Sequence, residues 1–206
     1  MTRVYVWGDS HCGKFGADPR FILGDAEQAT AHNLCNRRSK TQSWFALEAH
    51  LNIYDPADIW MFIIGEIDCR IHFHRQHVLT GKPVSRLVAT TVKRYGYVIK
   101  AVRDDGRPNV AVLDAPPAVA QGNFFGYDHY GTRDERAAIA VEWNRQLGEW
   151  CEANRICFVR LYPHIADERG WLADEYAVPD GSHVTADVIP FVIDELRKCF
   201  PDISLT

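Results

Sequence analysis

Two kinds of apolar pattern alternate along the chain. Short apolar runs predict strands, and longer stretches with apolar residues three and four apart predict helices. Val4 to Trp7 is a short strand that stops at Gly8, and Thr30 to Cys35 carries a weaker strand signal. Ile59-Trp60-Met61-Phe62-Ile63-Ile64 is the strongest run, apolar on both faces as a central parallel strand requires. Asn109 to Leu113, stopped by Pro116-Pro117, and Ile156 to Leu161 complete the strand set. Helices are predicted over Thr41 to Leu51, Val84 to Asp105 and Arg133 to Asn154. A closing helix runs from about Thr185 to Lys198, with Thr185 as its N-cap. Pro190 inside that span implies a kink or a later start.

Strands alternating with helices of this length indicate βαβ units, a mostly parallel sheet and helices on both of its faces. The fold class is therefore α/β. A chain of 206 residues with no linker or repeat is read as one domain, residues 1–206. Gln121 to Thr132 reads as a long surface loop at the sheet edge. Its aromatic stretch, Phe124-Phe125-Gly126-Tyr127-Asp128-His129-Tyr130, serves either as a stacking wall for substrate or as an anchor to the core.

Composition adds exclusions. Hydrophobic residues make up 47% and charged residues 24%, ordinary for a globular protein. A formal charge of −4 gives no basic field for nucleic acid. No apolar run approaches the ~18 residues needed to span a bilayer. The N-terminus runs directly into a strand pattern without a signal-peptide profile, so the expected location is cytoplasmic. The six cysteines are scattered with no CxxC pair, and reduced thiols are expected in that compartment.

Two distant segments carry the chemistry. Gly8-Asp9-Ser10 offers a hydroxyl where a strand ends, and Asp180-Gly181-Ser182-His183 offers a carboxylate and an imidazole three residues apart. Residues at that spacing lie on the same side of a turn. Asp180 can then hold one ring nitrogen of His183 while the other faces Ser10, an attacker, a base and an orienting acid. Taken singly, each segment also reads as an ordinary turn.

Together these segments resemble the first and last sequence blocks of the SGNH/GDSL hydrolases, with His11 where leucine is common and Asp180-Gly181-Ser182-His183-Val184-Thr185 matching the closing D-G-x-H-x-T pattern. The resemblance implies a flavodoxin-like, three-layer α/β/α fold and ester hydrolysis or acyl transfer through a serine acyl-enzyme. It assigns Ser10 as nucleophile, His183 as general base and Asp180 as the orienting acid. The implied substrate is a small-molecule or glycan ester, with no cofactor, nucleic acid or membrane partner.

Two departures stand out. The family's third block usually reads Gly-x-Asn-Asp, and here it is Gly65-Glu66-Ile67-Asp68. Gly65 and Asp68 match, but an isoleucine side chain donates no hydrogen bond to an oxyanion. The second block normally supplies a glycine, and none lies near Arg38 to Lys40. Ser39 is the expected backbone donor there. Arg70 is the candidate replacement for the lost asparagine, or else one member of a charge network with Glu66 and Asp68. Rival readings are an O-acyltransferase with the same triad and a catalytically weakened binding module. His11 is expected to contact substrate or support its loop. His11, His72, His74 and His77, with Cys12 and Cys69 nearby, close no four-ligand set, so no metal is expected.

Overall fold

The computed structural model describes residues 2–25, 28–120 and 129–205. Five parallel strands form one sheet: β1 (Val4–Gly8), β2 (Phe21–Asp25), β3 (Ile59–Ile63), β4 (Val110–Leu113) and β5 (Cys157–Val159), in the order β2-β1-β3-β4-β5. This is the flavodoxin-like strand order, whose reversal beside β1 opens a crevice at the carboxyl ends of the strands.

Strand alternation sorts the core into two layers. Tyr5, Trp7, Trp60 and Phe62 face one side, where α1 (Ser43–Leu51), α3 (Val84–Asp104) and α4 (Arg133–Asn154) cover them with Leu47, Val88, Tyr95 and Trp143. Val4, Val6, Met61 and Ile63 face the other, against Phe15 and the last helix, α6 (Ile189–Cys199), with Val192 and Leu196. The helices α2 (Phe73–Thr80) and α5 (Tyr162–Ile165) lie between these units in sequence. Every residue of β1 and β3 is buried, which is why their sequences are apolar throughout rather than alternating. Thr132 caps α4 through a reciprocal capping box with Glu135.

Three expectations need correction. Residues 30–35 form turns, and the second strand is Phe21–Asp25 instead. The closing helix starts late: Thr185 precedes one short helical turn, Ala186–Val188, and Pro190 occupies the first turn of α6, where its missing N–H has no cost. Cys157 and Cys199 form a disulfide, with Cα atoms 5.8 Å apart, because the last turn of α6 lies beside β5. Cys35, Cys69 and Cys151 are thiols. Phe124 to Asp128 of the aromatic stretch lie outside the described residues. Among the described residues, no helix is long and apolar enough to cross a membrane.

Candidate active site

β1 delivers Ser10 to the carboxyl edge of the sheet. Gly8 lies so close to β3 that a Cβ there would sit 1.7 Å from the Ile63 carbonyl oxygen, so only glycine fits. The next residue, Asp9, donates its N–H to that same carbonyl at 3.0 Å. Its buried carboxylate accepts the His11 N–H at 3.0 Å and caps the 3₁₀ helix Ser10–Ala17. Ser10 is the first residue of that helix, where N–H groups are not used within the helix. Its side chain is exposed.

The second segment is a tight turn. Gly181, at φ +73°, lets the chain reverse. Asp180 Oδ1 accepts the N–H groups of Ser182 at 2.8 Å and His183 at 2.9 Å. Its other oxygen, Oδ2, lies 2.6 Å from His183 Nδ1. Burial opposes ionisation of Asp180, but the bonds from His183 and Ser182 outweigh it and hold the carboxyl below the usual carboxylate range. His183 Nε2 lies 2.8 Å from Ser10 Oγ. The fold thus brings Ser10, His183 and Asp180 into one hydrogen-bonded chain. Since Nδ1 faces a carboxylate, it carries the ring proton, and Nε2 is left to accept from Ser10.

His11 ties the two segments together. The residue is 2% exposed, Nε2 lies 3.2 Å from the Ser182 carbonyl oxygen, and Nδ1 lies 3.3 Å from Asp9 Oδ1. The His11 and His183 rings are 5.0 Å apart.

Around Gly65 the chain takes a special course. Gly65 has φ +143°, and a Cβ would come 2.6 Å from Trp143 Nε1. A π-helical turn, Asp68–His72, then leads into α2. Asp68 is fully buried and reaches across to the second loop, accepting the N–H groups of Ala31 at 2.7 Å and His32 at 3.4 Å. Burial pushes its carboxyl up to about 7, against the pull of those two bonds. Ser39 does not take the expected place. Its N–H donates to the Asn36 carbonyl at 2.9 Å and its hydroxyl pairs with Thr41, so its backbone donor is spent inside its own turn. The loop that the third block grips is Ala31-His32.

Arg70 is held by Glu66 through two bonds, Nε to Oε1 at 2.5 Å and Nη2 to Oε2 at 3.2 Å, both side chains nearly buried. The Glu66–Arg70 half of the anticipated charge network is therefore formed, while Asp68 faces the other way. The two line a narrow recess with Pro117, Arg136 and Ser182. The remaining histidines of the metal reading diverge. His77 Nδ1 bonds the Lys82 carbonyl at 2.7 Å, and His74 faces Glu135 at 3.7 Å. Among the described residues, no cluster of three or more His, Cys, Asp or Glu has metal-ligand geometry.

An open cavity of about 440 Å³ adjoins Ser10 and His183. Its walls include His11, Lys14, Val178 and Val184. Sequence reasoning missed Lys14 and the Ala31-His32 loop. The first is an ordinary surface residue by type, and the second carries no glycine signature.

No family model matches the sequence, and no curated protein matches it. Solved structures do match over nearly the whole chain. A GDSL-like lipase from Bacteroides thetaiotaomicron aligns with TM-score 0.62 at 17% identity, covering 98% of this chain and 89% of that one. An aryl esterase from M. smegmatis aligns with TM-score 0.59 at 12% identity, covering 98% and 100%. Phospholipase A1 from Streptomyces albidoflavus aligns with TM-score 0.57 at 14% identity, covering 96% and 99%. With the strand order and these alignments, the chain has the fold of the SGNH/GDSL hydrolases.

Proposed function

We propose that the protein is a serine-dependent ester hydrolase acting through an acyl-enzyme on Ser10. The observation that carries this reading is the chain Ser10 Oγ to His183 Nε2 at 2.8 Å and His183 Nδ1 to Asp180 Oδ2 at 2.6 Å. In the first step His183 Nε2 takes the hydroxyl proton as Oγ bonds to the ester carbonyl carbon. The carbonyl π electrons move to oxygen, and the Ser10 N–H donates to that oxyanion. Collapse of the intermediate breaks the C–O bond, and His183 gives its proton to the departing alkoxide. Water then repeats the sequence on the acyl-enzyme and releases the acid. Asp180 stabilises the imidazolium and keeps the ring in register.

Arg70 is clamped by Glu66, which offsets its charge and engages two of its five N–H donors. The open cavity at Ser10 admits water, which favours hydrolysis over transfer to a second alcohol, a reaction that needs water excluded.

The test is hydrolysis of short-chain p-nitrophenyl esters, with fluorophosphonate labelling in parallel. The wild-type protein should turn over the esters and label at Ser10. Equal rates for wild type and Ser10→Ala, or no labelling of folded wild type, would overturn the reading.

A further inference from the structure

We infer that Lys14 is a specificity determinant that receives an anionic oxygen group, carboxylate or phosphate, on the ester substrate. The inference rests on the serine-hydrolase reading and names the substrate class for that site. Lys14 lies four residues past Ser10 on the same 3₁₀ helix and lines the cavity that contains Ser10 and His183. At ~2 Å of rise per residue, the two are offset by roughly 8 Å along the helix axis. A molecule with its ester carbonyl at Ser10 can therefore place a group a few bonds away against Lys14.

The ammonium is poorly matched by the protein itself. Among the described residues, no carboxylate lies within 4.0 Å of Nζ in any ion pair. Nζ lies over the buried Phe15 ring, whose centroid is 5.1 Å away. Burial lowers its pKa to about 8, although the more distant Asp9 and Asp114 favour the charged form. Both of those carboxylates are themselves buried, and each already accepts backbone N–H bonds: Asp9 from His11, Asp114 from Leu161 and Tyr162. A partly desolvated cation without a close counterion carries a penalty that an incoming anion removes. The cavity wall is otherwise rich in small apolar groups, Val178, Val184 and Ala186, suited to a short spacer.

The experiment compares charged and neutral esters of matched shape. Mono-p-nitrophenyl glutarate is paired with its methyl ester, and acetylated phosphoglycerol with acetylated glycerol. The readout is the charged-to-neutral ratio of kcat/KM. Wild type should favour at least one charged member by roughly tenfold or more, the size of a charge-assisted contact. The pair that shows the preference distinguishes carboxylate from phosphate. Lys14→Met should bring that ratio near one, and Lys14→Arg should restore most of it. Raising the salt concentration on wild type alone should also shrink the ratio. This arm holds even if a variant fails to fold. A wild-type ratio at or below one for both pairs, a ratio unchanged in Lys14→Met, or one indifferent to salt would each overturn the inference. Ser10→Ala separates the two levels: if it abolishes turnover while the ratio is one, only the role of Lys14 falls.

Discussion

His11 Nε2 reaches the carbonyl oxygen of Ser182 at 3.2 Å, joining the residue after Ser10 to the residue before His183. A carbonyl only accepts, so Nε2 is the donor. The ring is buried, which makes it a strap between the segments that carry Ser10 and His183, at one wall of the cavity beside them. At a position where the SGNH/GDSL motif commonly has leucine, this chain has a polar link. We expect His11→Leu to lower kcat roughly 10²-fold by loosening the Ser10–His183 geometry, with KM little changed. His11→Gln keeps a side-chain N–H and should recover most of that loss. Steady-state kinetics with melting curves for both variants decide it. If both lose kcat equally in step with stability, His11 is only a core residue.

Asp180 does two jobs with two oxygens. Oδ1 holds the turn through the N–H groups of Ser182 and His183, and Oδ2 holds the His183 ring. Asp180→Asn should lower kcat by on the order of 10³–10⁴, because an amide gives no charge to the imidazolium and can present an NH₂ to Nδ1. Because its folded pKa is depressed, the carboxylate's stabilisation is present above the unfolded value and lost as pH falls through the folded one. Activity should therefore persist to the acid side of the usual carboxylate range as far as Asp180 is concerned. An Asp180→Asn variant with near wild-type kcat would remove Asp180 from the mechanism.

The hydrogen-bonded chain of Ser10, His183 and Asp180 was legible in the sequence because each of the two segments that supply it is short and local. His183 follows Asp180 by three positions, and Ser10 lies just past a strand whose residues are all buried. The second loop was not legible, because its position is set by a long-range bond. Asp68 reaches back 37 residues to the Ala31 N–H, and nothing in Thr30-Ala31-His32 announces it. Proximity to Gly65 along the chain pointed to Ser39, whose N–H turns out to be spent on Asn36. Strand β2 was missed because Phe21-Ile22-Leu23 is short and is followed by Gly24. That glycine is required by packing: a Cβ would fall 1.8 Å from the Tyr5 hydroxyl. The helices over 84–104 and 133–154 were readable because each is long, and α4 also carries its own cap.

The disulfide joins β5 to the end of α6 across 42 residues of chain. That segment includes the whole Asp180-to-His183 turn. Loop-closure entropy alone gives the link a stabilising effect of about 4 kcal/mol. Cys157→Ser, or treatment with a thiol reductant, should lower the unfolding free energy by up to that amount. Urea denaturation with and without reductant measures it. Cys157→Ser should then be insensitive to reductant. Identical wild-type curves under the two conditions would mean that the bridge adds nothing.

Asp114 supplies a pH signature of the fold. Its side chain is 3% exposed and accepts the N–H groups of Leu161 at 3.1 Å and Tyr162 at 2.9 Å, fixing the chain after β5 to the end of β4. Burial pushes its carboxyl up to about 7 despite those bonds and the nearby Lys14 charge. An unfolded aspartate titrates near 3.9. Between these values the folded state binds more protons than the unfolded one, so this residue's contribution to stability falls as pH rises and levels off above about 7. Asp114→Asn does not titrate. The stability of wild type relative to this variant should therefore decline from about pH 4 to about pH 8, by at most about 4 kcal/mol. Asp68, also raised to about 7, acts in the same direction in both proteins and cancels in the difference. Urea midpoints for the two proteins across that range give the slope directly. A difference that is flat with pH would show that Asp114 ionises in the folded protein as it does in water, and that the cost of burying it is met by the two backbone bonds.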